Sequence, residues 1–591
     1  MLKQTHTFRE NQKEMSQELI MDSNDLEREK GITILSKNTS VFYNNTKINI
    51  IDTPGHADFG GEVERVLNMA SGAILLVDAA EGPLPQTRFV LRKAMEAKLK
   101  IILVVNKIDK KDARPAEILR EVENLFLDVA SQEASLHFTT LYAVGRDGKA
   151  FYTLPDHYTT ETPGDLIPLF DTVLKEIPNS AVSDDKPFQF MISTLDYDSY
   201  VGKICIGKVN QGVAQIGKTI SLVEENKVVK NYKITKLFTS IGLNRKEVDT
   251  VTSGDIVALA GIPELTIGQT ITDPSYPVSL PKITVEDPTI KITIGPNTSP
   301  LSGREGKFLT SKQIKERLLR EKETNLGLRI EEDTNGKNFV VAGRGELHLS
   351  ILIETLRREG FEMEISKPQV ILKTIDGVLS EPFEEVTIDV PTDYIGMVTE
   401  EMGKRKGDMK DMITELNQTT RFVYKISSQN LLGIRNSLLT KTRGTATIST
   451  YFLGYFPRQE KIETLRNGVI MATEAGTSLR FGLCNAQDRG ILFIGPGVDI
   501  YEGMIVGVAS RDENIDINVC KGKKLTNVRS ENADIDIPLT PHTELSLEQA
   551  LDFIQEDELL EVTPKNLRMR KKYLSAIQRR VMTRRAVKAT S

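Results

Sequence analysis

Two short polar runs follow apolar ones and carry the groups that a nucleotide site needs. Asp52-Thr53-Pro54-Gly55-His56 follows Ile48 to Ile51. A carboxylate at such a strand end can hold the shell of Mg²⁺, and the N–H of Gly55 can reach a γ-phosphate. Asn106-Lys107-Ile108-Asp109 follows Ile101 to Val105. The Asp109 carboxylate can accept hydrogen bonds from N1–H and the 2-amino group of guanine, a pair of donors that adenine does not offer. Upstream, Arg28-Glu29-Lys30-Gly31-Ile32-Thr33 presents Thr33, whose hydroxyl suits Mg²⁺ and whose backbone can sense a γ-phosphate. Each run alone reads equally well as a turn or a polar loop. Three of them in this order, at strand ends or in a loop before one, point to a GTP site with Mg²⁺ as its metal. His56 has an imidazole suited to orienting an attacking water. The remaining five histidines show no ligand spacing and read as structural or surface residues.

The elements that must position these runs alternate strand and helix through residues 1–183, the βαβ pattern of a parallel sheet, with strands at Ile48 to Ile51, Ala73 to Val77 and Ile101 to Val105. Short glycine-punctuated strands over 184–283 predict a β-barrel. Residues 284–373 and 374–458 each mix strands with an amphipathic helix, as two small α+β domains would. The last segment, 459–591, starts strand-rich and ends in helices, with Ser546 and Gln549 forming a capping box. The fold class is therefore multidomain, α/β and β.

A chain of 591 residues with 39% hydrophobic and 27% charged residues is an ordered globular protein of several domains. Its apolar runs are too short to cross a bilayer. Cys205, Cys484 and Cys520 lie far apart with no CxxC pair, which argues against a zinc site or a disulfide framework and fits a reducing compartment. The net charge of −6 hides a polarity: Val562 to Ser591 holds ten Lys and Arg and no acid. Lys521, Lys523, Lys524 and Arg529 form a second basic cluster. Such patches on an acidic protein predict local docking on a polyanion.

A GTP site also calls for GxxxxGK[ST], whose N–H groups and lysine cradle phosphates. The expected position, between a first strand and helix before Thr33, falls ahead of Met1-Leu2-Lys3-Gln4. The chain as written is therefore expected to lack that strand and loop, to bind no GTP measurably and to have a loosely folded first domain. Gly212-Val213-Ala214-Gln215-Ile216-Gly217-Lys218-Thr219 fits the pattern, but Thr219 to Val223 is a β-type run, so it reads as a barrel turn.

At Asp22 to Ile34, Ile51 to Ala70 and Gly82 to Leu91 the sequence resembles the translational GTPases, specifically the BipA (TypA) family. Gly254 to Ala258, Gly343 to Leu349 and Pro391 to Gly396 resemble the second, third and fifth domains of translation factors. Gln487 to Gly490, Ile494 to Gly497, Tyr501 to Met504 and Cys520 to Asn527 resemble the C-terminal domain that is peculiar to BipA and that elongation factor G and LepA lack. The resemblance implies a P-loop-type GTPase domain, a barrel, two ferredoxin-like domains and a family-specific RNA-binding domain. It implies a ribosome-stimulated GTPase that binds large-subunit ribosomal RNA near the GTPase centre, with tRNA a further candidate, and that acts in large-subunit assembly or stress adaptation. A monomer in a bacterial cytosol or an organelle is expected.

Carried over by residue, Thr33 and Asp52 would serve Mg²⁺, Gly55 the γ-phosphate, His56 the water, and Asn106, Lys107 and Asp109 guanine. Where the family has Ser-Ala beside the base, this chain has Val144-Gly145, which predicts reduced guanine affinity or selectivity. Lys521, Lys523, Lys524, Arg529, Arg568, Arg570, Lys571 and Lys572 would meet RNA phosphates. The alternative reading is a nucleotide-independent assembly protein that keeps only the docking domains.

Overall fold

In a computed structural model, the structure describes residues 1–5, 21, 24–129, 138–179, 183–198, 200–283, 285–414, 419–459, 466–522 and 539–590. The strands Gly72–Asp78, Lys100–Asn106 and Thr139–Val144 pair in parallel, and Lys149–Phe151 closes one edge. Their side chains alternate between two cores. Leu75, Val77, Leu103 and Val105 pack on the helices Pro85–Glu96 and Pro115–Val129. Ile102, Val104 and Leu141 pack on Ile167–Glu176. Burial of both faces explains why these strands read as unbroken apolar runs.

The strand expected at Ile48 to Ile51 forms, as part of Thr46–Asp52, but among the described residues it does not join the parallel sheet. It pairs antiparallel with Lys37–Tyr43. Val41, Ile48 and Ile50 still reach the Ile102 core, so the hairpin is attached by packing and not by a ladder.

Residues Gln189–Thr272 supply a nine-stranded barrel sheet around Phe188, Phe190 and Ile220. Gly212 and Gly217 both take positive φ (72° and 80°) in its turns, and Thr219–Glu224 is a strand. The Gly212–Thr219 segment therefore has no helix N-terminus with which to hold phosphate.

The strands Val378–Pro391, Asp408–Thr414, Thr419–Ser427 and Thr447–Pro457, with the helices Ile395–Lys404 and Ile434–Lys441, make a split βαβ layer. The segments 284–373 and 459–591, read from the sequence as distinct, share one sheet, although Ile470, Leu483, Val506 and Val519 form a further core within 459–591. Met363–Ser366 pairs antiparallel with Glu558–Val562, which fuses both segments into one eleven-stranded sheet. Ile292, Leu352, Ile365, Met471 and Leu560 share a single core. No described helix is long and apolar enough to cross a membrane.

Candidate functional site

Parallel register brings the carboxyl ends of three strands together, with Asp78 opposite Asn106 and Asn106 opposite Ala143. Doubly wound sheets bind ligands at this edge. Asn106 Oδ1 accepts the N–H of Gly145 at 2.9 Å, tying two loops together. A Cβ at Gly145 would stand 3.3 Å from the Asn106 amide, so this glycine sits close against it. Lys107 takes the left-handed conformation (φ 61°) and sets its Nζ 2.8 Å from Asp78 Oδ2. Asp78, which the sequence reading missed, also accepts from the Ala80 N–H and from Lys110 Nζ, each at 2.9 Å. Burial would raise its pKa, but these donors hold it at about 2. Its signal in the sequence was an acid ending an apolar strand. Asp109 accepts from Arg146 Nη2 at 3.3 Å. Gly145 lies exposed on this edge, whereas Val144 is buried in the sheet.

Thr33 lies in a loop organised by Glu27. The helix Asp25–Lys30 opens with an Asn24–Glu27 capping box and ends at Gly31 (φ 64°). The fully buried Glu27 carboxylate accepts from the N–H groups of Ile34 (3.0 Å) and Leu35 (3.2 Å) and pairs with Lys37. Lys37 and these N–H donors outweigh burial and hold its pKa below the usual range. Asp52 ends the Thr46–Asp52 strand opposite Lys37. The Asp52 carboxylate and Thr33 hydroxyl are hard oxygen donors of the kind Mg²⁺ prefers.

Gly55 is exposed, with open space around its Cβ position. His56 stands at the N-cap position of the short helix Ala57–Phe59. Its Nε2 lies 3.0 Å from Arg435 Nη1 and its Nδ1 3.5 Å from Asp58 Oδ1. Asp58 in turn accepts from the Leu347 N–H at 2.9 Å, at the start of the helix Glu346–Glu359. Beside His56 opens a cavity of about 430 Å³, lined by Gly55, Glu346, Glu384, Arg435 and Asp552 among others. Burial raises the pKa of Glu346 and Glu384, and that of Asp552 to about 6.

The basic residues divide. Lys521 and Lys572 are exposed, while Lys523, Lys524 and Arg529 lie outside the described residues. Three of the expected RNA contacts are corrected. Arg568 pairs with Glu305 and with Glu561 (3.0 Å), Arg570 with Glu364 (2.6 Å), and Lys571 with Asp557 and Glu558 (2.8 Å each). Arg570 and Lys571 are buried, so these charges are spent inside the shared sheet. Arg580, Arg584 and Arg585, on the helix Ala576–Thr590, are exposed.

Family models match four stretches: the elongation factor Tu GTP binding domain (1–179), elongation factor G domain 2 (187–274), the elongation factor G C-terminus (378–465) and the TypA/BipA C-terminal domain (467–576). The large ribosomal subunit assembly factor BipA of Synechocystis is 46% identical over 571 residues, covering 97% of this chain and 94% of that relative. Its Bacillus subtilis counterpart is 44% identical over 580 residues, covering 98% and 94%. A putative chloroplastic elongation factor TypA-like protein of Arabidopsis thaliana is 45% identical over 570 residues, covering 96% and 83%. A crystal structure from Thermus thermophilus aligns with TM-score 0.51 at 14% identity over 77% of this chain and 94% of that one, a likeness of fold alone. With near-full-length identity above two fifths and the diagnostic C-terminal domain behind an elongation-factor-type GTP-binding domain, this chain belongs to the TypA/BipA family.

Proposed function

We propose that this chain is a ribosome-stimulated GTPase that serves large-subunit assembly and stress-adaptive translation. The observation that carries the reading is the loop set at the carboxyl edge of the sheet. Asn106 is tied to Gly145 there and Lys107 to Asp78, and Asp109 is presented beside an exposed arginine. Asn106 and Lys107 brace the base loop, and Asp109 accepts the two guanine donors. Thr33 and Asp52 would hold Mg²⁺, which when bound neutralises charge on the phosphate oxygens. Gly55 offers its N–H to the γ-phosphate. His56 orients the water through Nε2, the nitrogen that Arg435 contacts in this structure.

Docking on ribosomal RNA falls to Lys521, Lys572, Arg580, Arg584 and Arg585, together with the Lys523, Lys524 and Arg529 cluster. The protein acts as a monomer, in the cytoplasm or in an organelle that holds bacterial-type ribosomes.

All nucleotide measurements use the chain joined to a strand and a GxxxxGK[ST] loop ahead of Met1, and the test is GTP hydrolysis with and without ribosomes. His56→Ala is expected to abolish the stimulated rate while nucleotide affinity stays within about twofold. Asp109→Asn is expected to shift preference from guanine to xanthine nucleotides. Ribosome binding that ignores nucleotide altogether would favour a docking protein without GTPase action.

A further inference from the structure

His56 and Arg435 are 379 positions apart in sequence and 3.0 Å apart in space. A guanidinium has donors and no acceptor, so His56 Nε2 must supply the lone pair. In a neutral imidazole that places the proton on Nδ1, where the Asp58 carboxylate at 3.5 Å can receive it. The alternative contact, Nδ1 accepting from the Asp58 N–H at 3.3 Å, requires the other tautomer and excludes the Arg435 bond. The Nδ1–H tautomer is also the one that a water-orienting histidine needs, because its Nε2 lone pair accepts the water proton. Arg435 thus occupies the lone pair on which hydrolysis would depend.

The arginine is not free to wander. Its helix, Ile434–Lys441, is pinned at the two residues that follow Arg435: the Asn436 amide donates to Asp552, and Ser437 Oγ donates to Glu401 at 2.9 Å. The same segment grips the GTP-binding domain elsewhere. Arg421 Nη2 donates to the Glu81 carbonyl at 2.9 Å, and Arg92 lies 5.7 Å from the Tyr451 ring centre. A displacement of the 378–457 segment against the first domain would therefore draw Arg435 off Nε2, and the cavity beside the pair gives the side chain room to leave.

We propose that Arg435 is a positioning residue that holds the His56 ring in its productive tautomer while blocking Nε2, so that hydrolysis waits for the 378–457 segment to shift on the ribosome. The inference rests on the water-orienting role of His56.

The chain has six histidines, so ¹⁵N-histidine labelling with His56→Gln for assignment resolves the ring. The wild-type ring is expected to be mainly Nδ1–H. Arg435→Ala is expected to mix the tautomers and to raise ribosome-free hydrolysis about 2- to 10-fold, the weight of one hydrogen bond. The ribosome-stimulated rate should be unchanged, and Arg435→Lys should restore restraint in part. An unaltered ring in Arg435→Ala overturns the proposal. So does a mixed tautomer with no rise in ribosome-free rate, in which case loss of stimulated hydrolysis in His56→Ala would leave the role of His56 standing. Normal hydrolysis by His56→Ala would remove that role, and the restraint with it.

Discussion

Asp58 and Gly345 touch across two segments: the Asp58 carboxylate lies where a Cβ on residue 345 would stand. The backbone at 345 is extended (φ −162°), so the constraint is steric. This close approach lets Asp58 cap a helix from another domain, accepting from Leu347 at 2.9 Å and His348 at 3.4 Å. An anion there also meets the positive end of the helix.

Gly345→Ala should therefore force the GTP-binding domain off the Glu346–Glu359 helix. Losing one or two charge-assisted hydrogen bonds costs about 3 kcal/mol. Hydrogen exchange at residues 56–60 and 345–350 should accelerate together. If exchange rises on one side only, the two segments are not coupled through this contact.

The same interface carries a pH signature. Burial, with Arg344 adding to it, holds His348 neutral down to about pH 4, against the Asp58 charge, which favours the protonated form. Its folded pKa lies below the unfolded one near 6.5, so its contribution is complete above that pH and is lost as pH falls toward 4. The loss is on the order of 3 kcal/mol. Asp58 follows. Burial would raise its pKa, but the imidazoles of His56 and His348 and the Leu347 N–H hold it at about 2. Its contribution is present above about pH 4 and fades toward 2. Calorimetric unfolding of His348→Gln should lack the first step, and that of Asp58→Asn the second.

If Asp109 accepts from guanine as proposed, Arg146, 3.3 Å from its carboxylate, competes with the base. The arginine is exposed and the pair is open to solvent, so its grip is weak. Arg146→Ala should tighten guanine nucleotide binding about 2- to 5-fold in fluorescence titration and leave xanthine nucleotide binding unaffected. Weaker guanine binding would show that Arg146 supports the loop.

The two kinds of basic residue should behave oppositely. Arg568→Met strands the buried Glu561 and should destabilise the chain by about 3–5 kcal/mol, read by denaturant unfolding. Neutralising Lys572, Arg580, Arg584 and Arg585 should leave stability within about 0.5 kcal/mol but flatten the salt dependence of ribosome binding. An unchanged salt slope would take that surface out of the interface.

The position of the Asn106–Asp109 loop was legible because Asn106, Lys107 and Asp109 lie close together after an apolar strand, so order along the chain places them at one sheet edge. Arg568, Arg570 and Lys571 were misread for the opposite reason. Glu305 and Glu364, the partners of Arg568 and Arg570, lie over 200 residues upstream, where a local charge count cannot see them, and Asp557 and Glu558, the partners of Lys571, lie just ahead of the counted run. Alternation marks Met363–Ser366 and Glu558–Val562 as strands, but it does not say that they pair with each other. Arg435 has no motif at all; only the fold brings it to His56.

The shared sheet also has a timing. During synthesis, Met363–Ser366 leaves the ribosome 192 residues before its partner begins at Glu558. At about 5–20 residues per second, that edge waits about 10 to 40 s with its ladder groups open. The 373–459 layer can fold in that interval, as an insertion inside an unfinished unit. A nascent chain stalled shortly before Glu558 would thus hold a folded GTP-binding domain and barrel beside a sticky half-sheet, which makes late translation the interval in which this protein most needs a chaperone.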